Sequence, residues 1–283
     1  MDITSEMIKK LRERTGAGMM DCKRALESTS GNMDAAIEHL RKKGAAVAQK
    51  RSDRTAKEGV IVTRVSNDGK TGVVVEVNCE TDFVGRSDDF IGFGRAVAEA
   101  IEIHKPQTLD AVPSLTNAAG KKIVDLMNDV LAKVGEKIDI RRFSVFESRE
   151  GVVSAYTHLG NRIGVLVELE GIAASNPTAR DVAMQVAAMN PAVVTRDQVD
   201  KAWIDRELDI YRTQAKNEGK PAPIQEKIAL GRLEKFYQEV VLNEQTFIKD
   251  PGKTIKDVLR EANPEHPATV KRFQRFHLGE ETK

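Results

Sequence analysis

The feature that most constrains this fold is an internal repeat. GVIVTRVSNDGKTGVVVEVNCE, beginning at Gly59, aligns without a gap on GVVSAYTHLGNRIGVLVELEGI, beginning at Gly151, at an offset of 92 residues. Gly59/Gly151, Val60/Val152, Gly72/Gly164, Val73/Val165, Val75/Val167 and Glu76/Glu168 are identical. Each copy holds two β-branched runs around a polar turn. In the first copy Asp68-Gly69 sits between them, a strong hairpin signal. Each copy then leads into a helix. Ser87 caps the first, with Phe90, Val97, Ala98 and Ile101 on one face, and the second covers 181–189. The repeat therefore predicts an α+β chain whose core is two duplicated α/β subdomains with antiparallel sheets.

The flanks read differently. Residues 1–44 have the spacing of three short helices, with Met7, Ile8 and Leu11 on the first. TGAG at 15–18 breaks that helix. Gly31 ends the second, Asn32 caps the third and Gly44 closes it. Residues 45–58 read as a linker. A core N-subdomain is expected at 59–142, including a helix over 118–134, and a core C-subdomain at 143–197 and 248–270. Between the two parts of the latter, 198–247 forms a helical hairpin. Trp203, Leu208 and Tyr211 lie on one stripe, and Ile228, Leu233, Phe236 and Val240 on the other. Two helices cannot cover such stripes alone, so either a second copy or the parent domain must. Residues 271–283 read as a C-terminal edge strand and tail.

Charge excludes several functions. The chain has 44 Lys plus Arg against 43 Asp plus Glu, a net charge of +1. That balance argues against wholesale binding of nucleic acid or membrane. No run reaches the roughly 18 apolar residues of a membrane helix, and the N-terminus lacks a signal-peptide pattern. Cys22 and Cys79 make no disulfide framework, so a cytoplasmic setting with reduced thiols is expected. The five histidines show no metal-ligand spacing, and no metal or cofactor is expected. DPGKT at 250–254 lacks the earlier glycine of a phosphate loop, since Phe247 occupies that place; it reads as a turn with Thr254 capping a helix. Glu80 and Asp82 would raise the Cys79 pKa, which argues against a thiol enzyme. The seven cations of 41–57 have no interleaved aromatic residue to stack on bases.

TDFV at 81–84 stands apart, because the repeat supplies an internal control. Thr81, Asp82, Phe83 and Val84 align with Ala173, Ala174, Ser175 and Asn176. The second copy folds without an acidic-aromatic pair here, so the hairpin does not require one. Phe83 either folds back onto the core or is offered to a partner, where an aromatic anchor beside a charge suits an inserted contact.

LRERTGAGMMDCKRAL (11–26) and EVNCETDFVGR (76–86) resemble the two signature stretches of the bacterial elongation factor Ts family. The likeness continues through KVGEKIDIRR (133–142), YTHLGNRIGVLVE (156–168) and the hairpin. The resemblance implies a ubiquitin-associated-like N-terminal helical domain and a dimerisation hairpin. It implies a guanine-nucleotide exchange factor for elongation factor Tu rather than an enzyme. Thr81, Asp82, Phe83 and Val84 would then enter the GTPase and dislocate its Mg²⁺. Val134 and Gly135, His158, and Met19, Met20, Asp21 and Lys23 would be further contacts. Gly85 and Arg86 depart from the family's common pattern, and Gly85 is expected to loosen the loop. Many members carry a C-terminal helix beyond the last strand, which is not expected after RFHLGE. The readings set against this one are an enzyme using the GKT turn and an RNA-associated scaffold using the basic linker.

Overall fold

The computed structural model describes residues 3–50, 53–158 and 160–281. Residues 51–52 of the expected linker and the last two residues of the expected tail lie outside them.

Three helices open the chain: α1 (Ser5–Thr15), α2 (Met19–Ser28) and α3 (Met33–Lys50). Gly16 ends α1 in the left-handed conformation, which glycine adopts without penalty. Asn32 Oδ1 accepts the Asp34 and Ala35 N–H groups and starts α3. The three close around Leu11, Cys22, Leu26 and Leu40. Gly44 does not close α3, which continues to Lys50. A Cβ at Gly44 would lie 2.7 Å from the Asn128 carbonyl, so this glycine lets α3 lie close against a core helix.

The first copy forms a sheet in the order β1 (Glu58–Val65), β2 (Thr71–Cys79) and β3 (Asp139–Glu147). Between β2 and β3 come α4 (Asp82–Gly85), α5 (Asp88–His104) and α6 (Ile123–Val134). Helix α6 begins five residues later than the periodicity suggests. The Asn117 carboxamide accepts the Ala119 and Lys121 N–H groups, and Gly120 has φ +75°, so 117–121 is a turn. The second copy gives β4 (Val152–Thr157), β5 (Ile163–Glu170) and α7 (Pro177–Met189). The hairpin follows as α8 (Lys201–Asn217) and α9 (Ala222–Val240), then β6 (Thr246–Phe247), β7 (Asp250–Thr254), α10 (Ile255–Ala262) and β8 (Thr269–His277). Strand β8 completes a second antiparallel sheet in the order β4-β5-β8. The boundaries expected after residues 142 and 270 thus fall inside β3 and β8, which pair with β2 and β5 on both sides of those points. The edge strand is part of the second sheet rather than a separate module.

The two sheets pack face to face, and every residue of β2 is buried. Its Val73, Val75, Val77 and Cys79 meet α5 and α6, while Val74 meets Ile61, Phe146, Val153, Leu166 and Phe276 between the sheets. Contacts across this interface are reciprocal at the repeat offset. Ile61 N–H donates to the Asn161 carbonyl, and Val153 N–H to the Gly69 carbonyl, both at 2.7 Å. Gly72 faces Val153, and Gly164 faces Ile61. Both central strands shift register after the repeated glutamate, Glu76 or Glu168. Arg142 pairs with Glu76 and stacks on Phe276; Arg272 pairs with Glu168 and stacks on Phe146.

Near its base the two hairpin helices cover each other's stripes instead: Val199, Leu233, Phe236, Tyr237 and Val241 form one cluster with Trp203 and Leu208 packed against it, and the parent domain adds Val193. Arg196 holds both Glu234 and Glu244 there. Farther out, Ile210, Ile224 and Leu230 remain exposed.

Candidate functional site

The site begins where β2 leaves the sheet. Thr81 has extended backbone and caps α4, its Oγ1 accepting the Val84 N–H at 3.5 Å. Helix α4 is a single turn, too short to hold itself by its own hydrogen bonds. Its surroundings fix it. Val84 packs into the first core, and Gly85 is buried against Gly59, where an added Cβ would lie 3.2–3.3 Å from the Gly59 backbone. Gly85 therefore seats the loop on β1 rather than loosening it. Phe83 points the other way and is 85% exposed, the most exposed of the large apolar side chains in the described residues. Asp82 stands beside it in a 3.0 Å ion pair with the exposed Arg86.

The second expected contact loop is bonded to the first. Val134 ends α6, and Gly135 caps it with φ +67°. The next residue, Glu136, accepts the Thr81 N–H at 3.0 Å and the Thr81 hydroxyl at 2.7 Å. In return Glu80 accepts the Lys137 N–H at 2.7 Å, and also Arg54 Nη1 at 2.9 Å. Sequence reading missed Glu136, and it treated Glu80 only as an influence on Cys79. Glu136 lies within a quoted motif, but its partner is 55 residues away, so no local spacing reveals it.

Cys79 lies beneath this loop with its thiol directed at the Thr81 carbonyl, 3.1 Å away. Its pKa is pushed up to about 12, first by burial and then by the Glu136 and Glu58 carboxylates. Burial, rather than the expected Glu80 and Asp82, is the leading cause. Such a thiol is a poor nucleophile.

The remaining expected contacts sit at different distances from this centre. His158 is exposed, and its Nδ1 lies 3.2 Å from the Tyr156 hydroxyl. Its turn is tied to β1 by the Ile61–Asn161 bond, two residues from the Gly59 that seats α4. Gly16, before α2, lies against the Lys133 side chain, whose ammonium pairs with Asp89 at 2.7 Å. With the Arg41–Asp129 pair at 2.9 Å, this sets the N-terminal helices beside the end of α6. Met19 and Met20 are 54% and 63% exposed. Asp21 is turned inward instead, bonded to Lys43 and Arg24 at 2.5 Å each, and the Lys43 bond above all holds its carboxyl below the usual range. Lys23 lies along its own helix, 3.8 Å from Glu27.

DPGKT forms β7, and Thr254 caps α10 in a capping box with Asp257. Among the described residues no His, Cys, Asp and Glu cluster of three or more could hold a metal ion, and no helix is long and apolar enough to cross a membrane. What the site offers is an aromatic ring and a carboxylate, raised on a turn fixed from beneath.

Residues 80–280 match a family model described as Elongation factor TS. The chain is 47% identical over 284 residues to an elongation factor Ts of Prosthecochloris aestuarii, covering 98% of this chain and 99% of that one. It is 44% identical to one of Chloroherpeton thalassium, covering 99% of both chains. A third relative, from Clostridium perfringens, is 44% identical over 98% of this chain and 93% of its own.

Proposed function

Because the chain belongs to the elongation factor Ts family of translation elongation factors, we propose that it is the guanine-nucleotide exchange factor for elongation factor Tu. Phe83 enters the GTPase beside its nucleotide site, and Asp82 disturbs the network that holds Mg²⁺. Magnesium demands near-octahedral geometry, so small ligand shifts weaken it sharply. Val134, Gly135 and His158 make contacts around that entry, and Met19, Met20 and Lys23 offer a docking surface on the N-terminal helices. Asp21 serves to hold α2 against α3. The chain performs no covalent chemistry and needs no cofactor.

The energetics are those of linkage. A factor that binds the nucleotide-free GTPase more tightly than the loaded form must weaken nucleotide binding by the same factor. Speeding release by roughly 10⁴ requires lowering the barrier by about 5.5 kcal/mol. One buried aromatic anchor together with lost metal contacts reaches that magnitude. The observation that carries this reading is the exposure of Phe83 on a braced turn, because an apolar ring gains nothing from standing in water.

Stopped-flow release of fluorescent GDP from elongation factor Tu tests it. The expected result is strong acceleration, with GTP or fresh GDP then expelling the factor. Unchanged release would contradict it. Micromolar nucleotide binding by the isolated chain would favour the enzyme reading, and RNA binding with a steep salt slope the scaffold reading. Exposed Ile210, Ile224 and Leu230 support a second reading alongside the first, a homodimer through the outer hairpin. Sedimentation of wild type against Leu230→Glu tests that: loss of a dimer supports it, and a monomer in both contradicts it.

A further inference from the structure

We infer that Glu80 and Glu136 are positioning residues that clamp the two contact loops into one rigid body; this rests on the exchange reading above. The geometry is a reciprocal exchange between adjacent residue pairs, 80–81 and 136–137. The Glu136 carboxylate takes the N–H and hydroxyl of Thr81 at 3.0 and 2.7 Å. The Glu80 carboxylate takes the N–H of Lys137 at 2.7 Å. Arg54 and Lys137 complete the clasp. Arg54 Nη1 donates to Glu80 at 2.9 Å, and Lys137 Nζ donates to the Arg54 carbonyl at 3.0 Å. Charge-assisted bonds to backbone N–H groups are short and directional, so they fix orientation as well as distance.

The fold does not depend on this clasp. The ladder between β2 and β3 already ends at the Asn78–Asp139 pair, just before it. The strands are therefore joined without Glu80 or Glu136. What the clasp adds is a support for the entrance of α4. Gly85 and Val84 seat the exit of that turn, whereas the Thr81 end leans on Glu136. With both ends held, Phe83 is presented in one orientation, and inserting it does not first require ordering the loop. Interactions already in place before the transition state carry no ordering cost at that moment.

A double-mutant cycle on catalysed GDP release tests this, using wild type, Glu136→Ala, Phe83→Ala and the double variant. Glu136→Ala is expected to lower kcat/KM about tenfold, as loss of preorganisation does, while the melting temperature stays within a few degrees. The Thr81 amide should lose hydrogen-exchange protection in the free protein. Glu136→Gln keeps one acceptor for the Thr81 N–H and a donor for its hydroxyl, and should recover activity to within about threefold. In the Phe83→Ala background the Glu136→Ala loss should shrink below about twofold, because the clasp acts through that ring. Additive losses, unchanged kcat/KM, or a loss matched by general unfolding would overturn the positioning role. No acceleration by the unaltered chain would instead overturn the exchange reading and this assignment with it.

Discussion

The two copies of the repeat differ most where their central strands end. Up to that point they match: a register shift after the same glutamate, a glycine against an aliphatic side chain of the other copy, an arginine stacked on the other copy's phenylalanine. Beyond it the first copy builds α4 with Phe83 in solvent. The second runs through exposed Ala173, Ala174 and Ser175 to Asn176, which caps α7 directly. The shared parts are what two sheets need in order to pack on each other. In the unshared part Val84 and Gly85 pack inward, but the Phe83 ring is left in solvent, and no packing need of the two sheets accounts for it.

The comparison can be broken at several points. The largest effect is expected at the sealed exit of the first copy. With its pKa near 12, Cys79 holds a thiolate fraction of only about 10⁻⁴ at pH 8. Alkylation of the native protein should be at least about a hundredfold slower than that of a free thiol, read by mass spectrometry. A cysteine placed at exposed Ala173 in the second copy should label rapidly; slow labelling there would mean that both exits are closed.

The interface glycines come next. A Cβ at Gly72 would lie 2.4 Å from Val153 Cγ1, and one at Gly164 would lie 2.4 Å from Ile61 Cγ2. Gly72→Ala and Gly164→Ala should each destabilise the protein by about 2 kcal/mol in urea unfolding. Clearly unequal costs would contradict the reciprocity. The arginines should sharpen the comparison, because here the copies are unequal. Glu76 is fully buried between Arg141 and Arg142, whereas the Arg272 side chain paired with Glu168 is half-exposed. Arg142→Ala should cost about 2 kcal/mol and Arg272→Ala about 1 kcal/mol or less, by the same measurement.

The smallest effect lies outside both copies. The folded-state pKa of Asp21 is lowered by Lys43, so its contribution is present above the ordinary carboxylate range and is lost as pH falls through the lowered value. Asp21→Asn should destabilise the N-terminal helices by about 0.5 kcal/mol at pH 7, and the difference should shrink progressively as acid takes the pH below the ordinary carboxylate range. Thermal unfolding at pH 7 and in acid reads it, and a difference that persists undiminished in acid would contradict the ion-pair account.

Much of this was legible in the residues. The repeat predicts two like sheets because periodicity 2 and turn chemistry are local signals, and Asp68-Gly69, Ser87, Asn32 and Thr254 act where local rules place them. The misreadings come from contacts distant in sequence. Gly44 looked like a helix stop and is a close approach to α6; Gly85 looked like a loose hinge and is a seat on Gly59. A glycine gives the same local signal in either case, and only the partner backbone decides between them. Phe83 was undecided for the same reason, since an aromatic residue just past a strand can pack inward or stand out. Glu136 was invisible because its partner Thr81 is separated from it by the whole of α4, α5 and α6.

The central claim is that Phe83 is a partner-entering element and not part of this protein's own core. Stopped-flow release of fluorescent GDP from elongation factor Tu, comparing wild type with Phe83→Ala at matched concentration, tests it most directly. The account predicts at least a tenfold loss of acceleration, with an unchanged melting curve because a side chain 85% exposed stabilises little. Full exchange activity in Phe83→Ala, or a loss explained by unfolding, would contradict it.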